Sequence, residues 1–180
     1  LPESLDGVAG SGLKVELTHY SPSPILKLDQ RPYVQGRRPT RFEKPEGFWV
    51  SVDGPDDWKQ FCEAESFRLE ELAVPHRVIL SKDARLLLIS NLAEFDAFEE
   101  EYSSPDPILI MGAIRWTEVA KKYQGIIVAP YQWERRMSSD WYYPWDCASG
   151  CIWDIAAVEL TYPLPASHSV PVVEADEAKS

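Results

Sequence analysis

Short apolar runs of strand length recur along this chain at irregular intervals, and three helix-like segments fall unevenly among them. Runs at 13–20, 47–52, 76–81, 85–90, 125–130 and 151–162 read as strands, rich in Val, Ile, Leu and aromatic residues and bounded by Gly, Pro, Asp or Ser. Helix-like patterns cover 58–67, 91–103 and 114–123. About six or seven strands and three short helices follow. Their order lacks the regular strand–helix alternation of a parallel sheet, so the expected class is α+β. The 180 residues suit one domain, expected over 13–164, with residues 1–12 and 165–180 as flexible polar ends.

Local signals sharpen several elements. In LKVELTHY, Leu13, Val15, Leu17 and His19 alternate with Lys14, Glu16, Thr18 and Tyr20, which predicts a strand burying its first set. GFWVSV is a strand opened by Gly47 and closed by the turn DGPDD. Asp57 is placed to cap the helix that follows, with Trp58, Phe61, Cys62 and Glu65 on one face. The next two strands are joined by the turn Lys82-Asp83-Ala84. Leu92, Phe95, Phe98 and Tyr102 form the apolar stripe of the second helix. CIWDIAAVELTY reads as a final strand pair.

Charge and motif content exclude several classes. A net charge of −11 opposes non-specific binding to nucleic acid or an anionic membrane. No apolar stretch approaches the length of a membrane span, and the first residues are unlike a signal peptide. Three cysteines give no disulfide framework, and Cys147 and Cys151 with Cys62 lack two-plus-two zinc spacing, so no metal is expected. Glycine-rich dinucleotide and phosphate loops, the serine-hydrolase elbow and the HExxH zinc motif are missing from the sequence. A reducing, cytoplasmic compartment is favoured, with a secreted effector as the alternative.

Four features remain as candidate chemistry, each with two readings. His19, at a strand end before a Ser-Pro turn, is either a satisfied core residue or a ring nitrogen offered to a ligand hydroxyl. Trp49 is either core or a stacking surface. The loop 131–150 holds Tyr131, Trp133, Trp141, Tyr142, Tyr143 and Trp145, and covers either a core edge or a planar ligand. Arg31, Arg37, Arg38, Arg41 and Lys44 form a solvated loop or an anion site.

THYSP, then GFWVS followed by WKQFCEAE, then CIWDIAAVELTY, resemble the ADP-ribosyltransferase superfamily. The nearer branch is the His-Tyr-Glu group of poly(ADP-ribose) polymerases and diphtheria-type toxins. The likeness covers roughly 13–62 and 125–162. It implies split mixed β-sheets and an NAD cleft lined by the strand from Gly47 to Ser51. His19 would hold a ribose hydroxyl, with Tyr20 where a small residue commonly follows. Gly47-Phe48-Trp49 stands for the Gly-x-Tyr strand, so Trp49 would stack on nicotinamide. Trp58 and Phe61 are candidates for the ring's second wall. Ser149 occupies the place of the catalytic Glu. Its charge would come from Asp146, or from Glu134, or the site works without an acid.

The function this implies is an NAD-dependent mono-ADP-ribosyltransferase, toxin-like in one version, that transfers single ADP-ribose units to a protein or nucleic-acid acceptor. The enzyme would be monomeric and independent of membranes, and Asp146→Ala would abolish NAD consumption with the fold intact. Alternatives are an NAD glycohydrolase, a non-catalytic module binding NAD or a partner, and an unrelated α+β interaction module.

Overall fold

The computed structural model describes residues 15–106 and 112–165. The flexible ends expected at 1–12 and beyond 165 lie outside these residues, apart from residue 165 itself. The fold is mixed α/β, a seven-stranded mixed sheet with three α-helices. The strands are β1 (Leu17–Ser21), β2 (Phe48–Val52), β3 (Val74–Leu80), β4 (Leu86–Ile89), β5 (Gly125–Val128), β6 (Ser149–Ile152) and β7 (Val158–Pro163). The helices are α1 (Trp58–Glu65), α2 (Leu92–Tyr102) and α3 (Trp116–Lys122). Spatial order is β4-β5-β6-β2-β1-β3-β7, with β4 and β5 parallel and every other neighbouring pair antiparallel.

This order corrects one expectation, the final strand pair. β6 and β7 are not partners: β6 sits between β5 and β2, and β7 pairs with β3 at the edge. The intervening 3-10 turn Ile155–Ala157, capped by Asp154 accepting from the Ala156 amide, redirects the chain. β3 and β4 follow each other across a tight turn, and they lie toward opposite ends of the sheet. β5, β6 and β2 approach so closely that glycine is required by packing. A Cβ on Gly47 would lie 2.5 Å from Cys151 Sγ and 2.7 Å from the Ile152 carbonyl oxygen. Strand contact therefore accounts for Gly47 without a ligand.

Aromatic residues of the 131–150 loop supply much of the core. Tyr131, Trp141, Tyr142 and Trp145 are buried; Trp141 packs on Phe95 and Phe98 of α2, Tyr142 on Phe95, and Tyr131 and Trp145 on Tyr142. Trp141 stacks on Phe95 at 4.9 Å, and its indole N–H donates to Glu99 Oε2 at 2.9 Å. The Tyr142 hydroxyl accepts from the Gln132 amide at 3.0 Å. Each ring thus buries its apolar body with most of its polar atoms partnered. Only Trp133 and Tyr143 of this set are exposed. Of the two readings open for this loop, the structure selects the core.

At its centre the sheet parts. β1 pairs with β2 only through Leu17↔Val52 and Thr18↔Ser51. β1 nevertheless stays paired with β3 as far as Ser21↔Val74, and β2 with β6 as far as Phe48↔Ile152. Beyond Thr18, then, each strand keeps its outer neighbour and loses its inner one. The sheet is continuous through two residue pairs and open beyond them.

Candidate active site: the cleft between β1 and β2

His19 is the first residue past the last β1–β2 pair. Its Nδ1 lies 2.6 Å from the Trp49 carbonyl oxygen. A carbonyl only accepts, so Nδ1 carries the proton and the neutral ring presents Nε2 as an acceptor. Phe48 stacks on the ring at 4.2 Å and fixes its plane. Burial lowers the His19 pKa from the ordinary histidine value. The Trp49 carbonyl raises it, neighbouring His76 lowers it, and Glu71 raises it. The net result is a neutral imidazole at physiological pH.

A cavity of about 350 Å³ opens here, lined by His19, Tyr20, Trp49, Ser51, Trp58, Asp146 and Ser149 among others. Seven of the residues singled out in the sequence are thereby brought to one hollow of small-molecule size. Gly47 and Phe48 instead line a neighbouring hollow of about 320 Å³, which shares His19 and Trp49 as its wall. Phe61 lines neither. It stacks behind Trp58 at 5.5 Å, with Phe67 edge-on to both.

Each wall has a local cause. The Asp57 side chain accepts from the Gln60 amide at 2.9 Å and caps α1. The Ser51 hydroxyl accepts from the Trp58 amide at 3.0 Å, tying the first turn of α1 to β2 and bringing Trp58 to the cavity that Trp49 also lines. Of the face Trp58, Phe61, Cys62 and Glu65, only Cys62 is buried, and Glu65 is exposed. The two aromatics are half-buried, Trp58 at the cleft and Phe61 behind it. Thr18, assigned by alternation to a polar face, is 2% exposed. Its hydroxyl donates to Asp53 Oδ2 at 2.9 Å, an oxygen that also accepts from Arg77 at 2.9 Å. Both faces of β1 are therefore covered, and strict alternation does not apply.

Among the candidate acids, Asp146 lines the cleft and pairs with Arg136 at 3.2 Å. Glu134 is exposed on the 3-10 turn Trp133–Arg135 and does not line it, which removes that alternative. Ser149 begins β6 opposite Ser51, and its hydroxyl donates to the Cys147 carbonyl at 3.0 Å. Burial pushes the Cys147 thiol up to about 12, so this cleft cysteine is protonated and no nucleophile. Cys62, Cys147 and Cys151 are all buried and free. Among the described residues no cluster of His, Cys, Asp and Glu could hold a metal, and no helix is long and apolar enough to cross a membrane.

The basic run disperses. Arg31 pairs with Asp29, Arg41 pairs with Asp140, and Arg37 and Arg38 are exposed. Lys44 alone of the five lines the cleft, with its ammonium 5.0 Å from the centroid of the Trp49 ring. Two further charged groups there, Arg68 and Glu71, escaped the sequence reading. Ser66 and Arg68 both adopt left-handed backbone, ahead of the 3-10 turn Leu69–Ala73 that carries Glu71. Neither is the glycine or asparagine that announces such a conformation, so no turn signal was present. Their one sequence cue is the i,i+3 spacing of opposite charges.

Protonation of His19 has a definite sign. Its folded pKa lies below the unfolded value, so the unfolded chain binds more protons and stability declines as pH falls below about 6.5. A ligand hydroxyl donating to Nε2 needs the neutral ring. Affinity for such a ligand is therefore expected to hold steady through the ordinary histidine range and to fall only in more acid buffer. Titration by calorimetry across pH would show this break in the parent protein and lose it in His19→Ala. Compared with known proteins, the chain matches no family model, no curated protein and no solved structure.

Proposed function

We propose that the chain is an NAD-dependent mono-ADP-ribosyltransferase whose nicotinamide half-site is the opening between β1 and β2. The observation that carries this reading is the convergence of His19, Trp49, Trp58 and Asp146 on one cavity from four separate segments. Each supplies something that cleavage of a nicotinamide–ribose bond requires. Trp49 and Trp58 offer indole surfaces for the planar cation, and Trp49 already carries the Lys44 ammonium by cation–π attraction. His19 Nε2 accepts from a ribose hydroxyl and fixes the sugar.

In the reaction the C1′–N bond of NAD breaks and its electron pair leaves with nicotinamide, which becomes neutral. Positive charge develops on the ribose, and a carboxylate beside it stabilises the oxocarbenium-like transition state. Asp146 is assigned that role. An acceptor nucleophile then bonds to C1′ and gives up its proton. The parting of the sheet at Thr18 fits the split sheets of the ADP-ribosyltransferase fold and supports the same reading.

A second reading is a non-catalytic NAD-binding module. Ser149 in the acid's place and the Arg136 partner of Asp146 both favour it. Incubation with NAD labelled in its ADP-ribose half separates the two. Nicotinamide release together with label on macromolecules is the expected result. Release without labelling would assign hydrolysis, and NAD binding with neither would assign the non-catalytic module.

A further inference from the structure

We propose that Lys44 and Arg68 form a two-cation clamp for the diphosphate of a nucleotide bound in this cleft. The clamp rests on the NAD reading for the identity of the nucleotide, but its geometry stands apart from it. Both residues line the same cavity, reaching it from segments that flank β2 and α1 on opposite sides in sequence. The chain carries a net charge of −11, so two cations sharing one hollow run against its overall composition.

Lys44 is held partly buried over Trp49, and no carboxylate among the described residues comes within ion-pairing distance of it. Burial lowers its pKa. Asp146, Cys147 and Cys151 oppose that shift, and the positive charge of Arg68 adds to it. Both cations line the one hollow, and an anion bound there would be attracted to each.

Arg68 carries an independent sign of function. It sits at φ 48°, ψ 40°, two residues after Ser66 at φ 52°, ψ 41°. Left-handed backbone at a non-glycine residue is costly and gathers at ligand sites. Arg68 lines the cleft from this turn, with its guanidinium 5.2 Å from the centroid of the Phe67 ring. The ion pair with Glu71, at 3.3 Å through one guanidinium nitrogen, leaves the other N–H donors of the five for phosphate oxygens. The two acids of the cleft are each matched by an arginine, Glu71 by Arg68 and Asp146 by Arg136. Lys44 is the cation left over.

The test is calorimetric titration of the full chain with inorganic pyrophosphate, ADP-ribose and nicotinamide riboside, repeated with Lys44→Gln, Arg68→Gln and Arg68→Lys. Pyrophosphate and ADP-ribose affinity is expected to fall about tenfold or more in each Gln variant, with partial recovery in Arg68→Lys. Nicotinamide riboside lacks the diphosphate, so its affinity should be the same in Arg68→Gln as in the parent. Unchanged melting temperatures would assign the losses to the site rather than to unfolding. Absence of pyrophosphate binding by the parent, or equal binding by all variants, would overturn the clamp. Pyrophosphate binding that responds to the variants, beside no binding of nicotinamide riboside, would uphold the clamp and remove the NAD reading.

Discussion

The Asp146→Ala protein is expected to release nicotinamide from NAD at least about 100-fold more slowly than the parent, with the fold intact. Asp146 is the candidate acid from the last strand's approach that reaches the cleft, since Glu134 points to solvent and Ser149 has no charge to give. Loss of a carboxylate facing a developing cation removes a few kcal/mol of barrier stabilisation, about two orders of magnitude in rate. The structural cost is smaller. The Arg136 pair is partly solvated, with side chains 29% and 26% exposed, and such pairs contribute at most about 1 kcal/mol. Circular dichroism and the melting temperature should therefore stay close to those of the parent. Turnover like the parent's would take Asp146 out of the mechanism and direct attention to Glu71, the other carboxylate lining the cleft.

The Trp141→Ala protein presents the opposite pattern, a fold weakened throughout. Trp141 is fully buried and touches Phe95, Phe98, Trp116, Tyr142 and Trp145. Its removal leaves a cavity among rings that cannot close over it and strips Glu99 of an indole donor. Losses for such truncations run at about 3–5 kcal/mol, a large fraction of a domain's whole stability. Urea denaturation followed by circular dichroism measures it directly. A loss under about 1 kcal/mol would mean that the 131–150 loop is a cover over a ligand and not part of the core.

Elements governed by local chemistry were legible in the sequence. Asp57 caps α1 as expected, the buried stripe of α2 runs through Phe95, Phe98 and Tyr102, and GIIV forms the fully buried strand β5. What sequence did not carry was tertiary. Which strands pair depends on long-range register, and the strand pair read from CIWDIAAVELTY is divided between two places in the sheet. The aromatic loop was ambiguous because a lid and a core edge share one composition.

The site was legible in part. His19 and the Trp49 strand could be singled out because residue type and spacing are local properties. Arg68 and Glu71 could not, because their placement depends on two left-handed residues, Ser66 and Arg68, whose identities do not signal that backbone. Gly47, read as part of a ligand-binding strand, lines the hollow beside the cleft, and the approach of Cys151 and Ile152 accounts for its lacking a side chain.

A crystal structure of the protein soaked with a non-hydrolysable NAD analogue tests the central claim most directly. The account predicts a nicotinamide ring against Trp49 at about 3.5 Å, on the side facing Trp58. A hydroxyl of the adjoining ribose should lie within about 3 Å of His19 Nε2. A dinucleotide bound elsewhere, with the opening between β1 and β2 left empty, would contradict it.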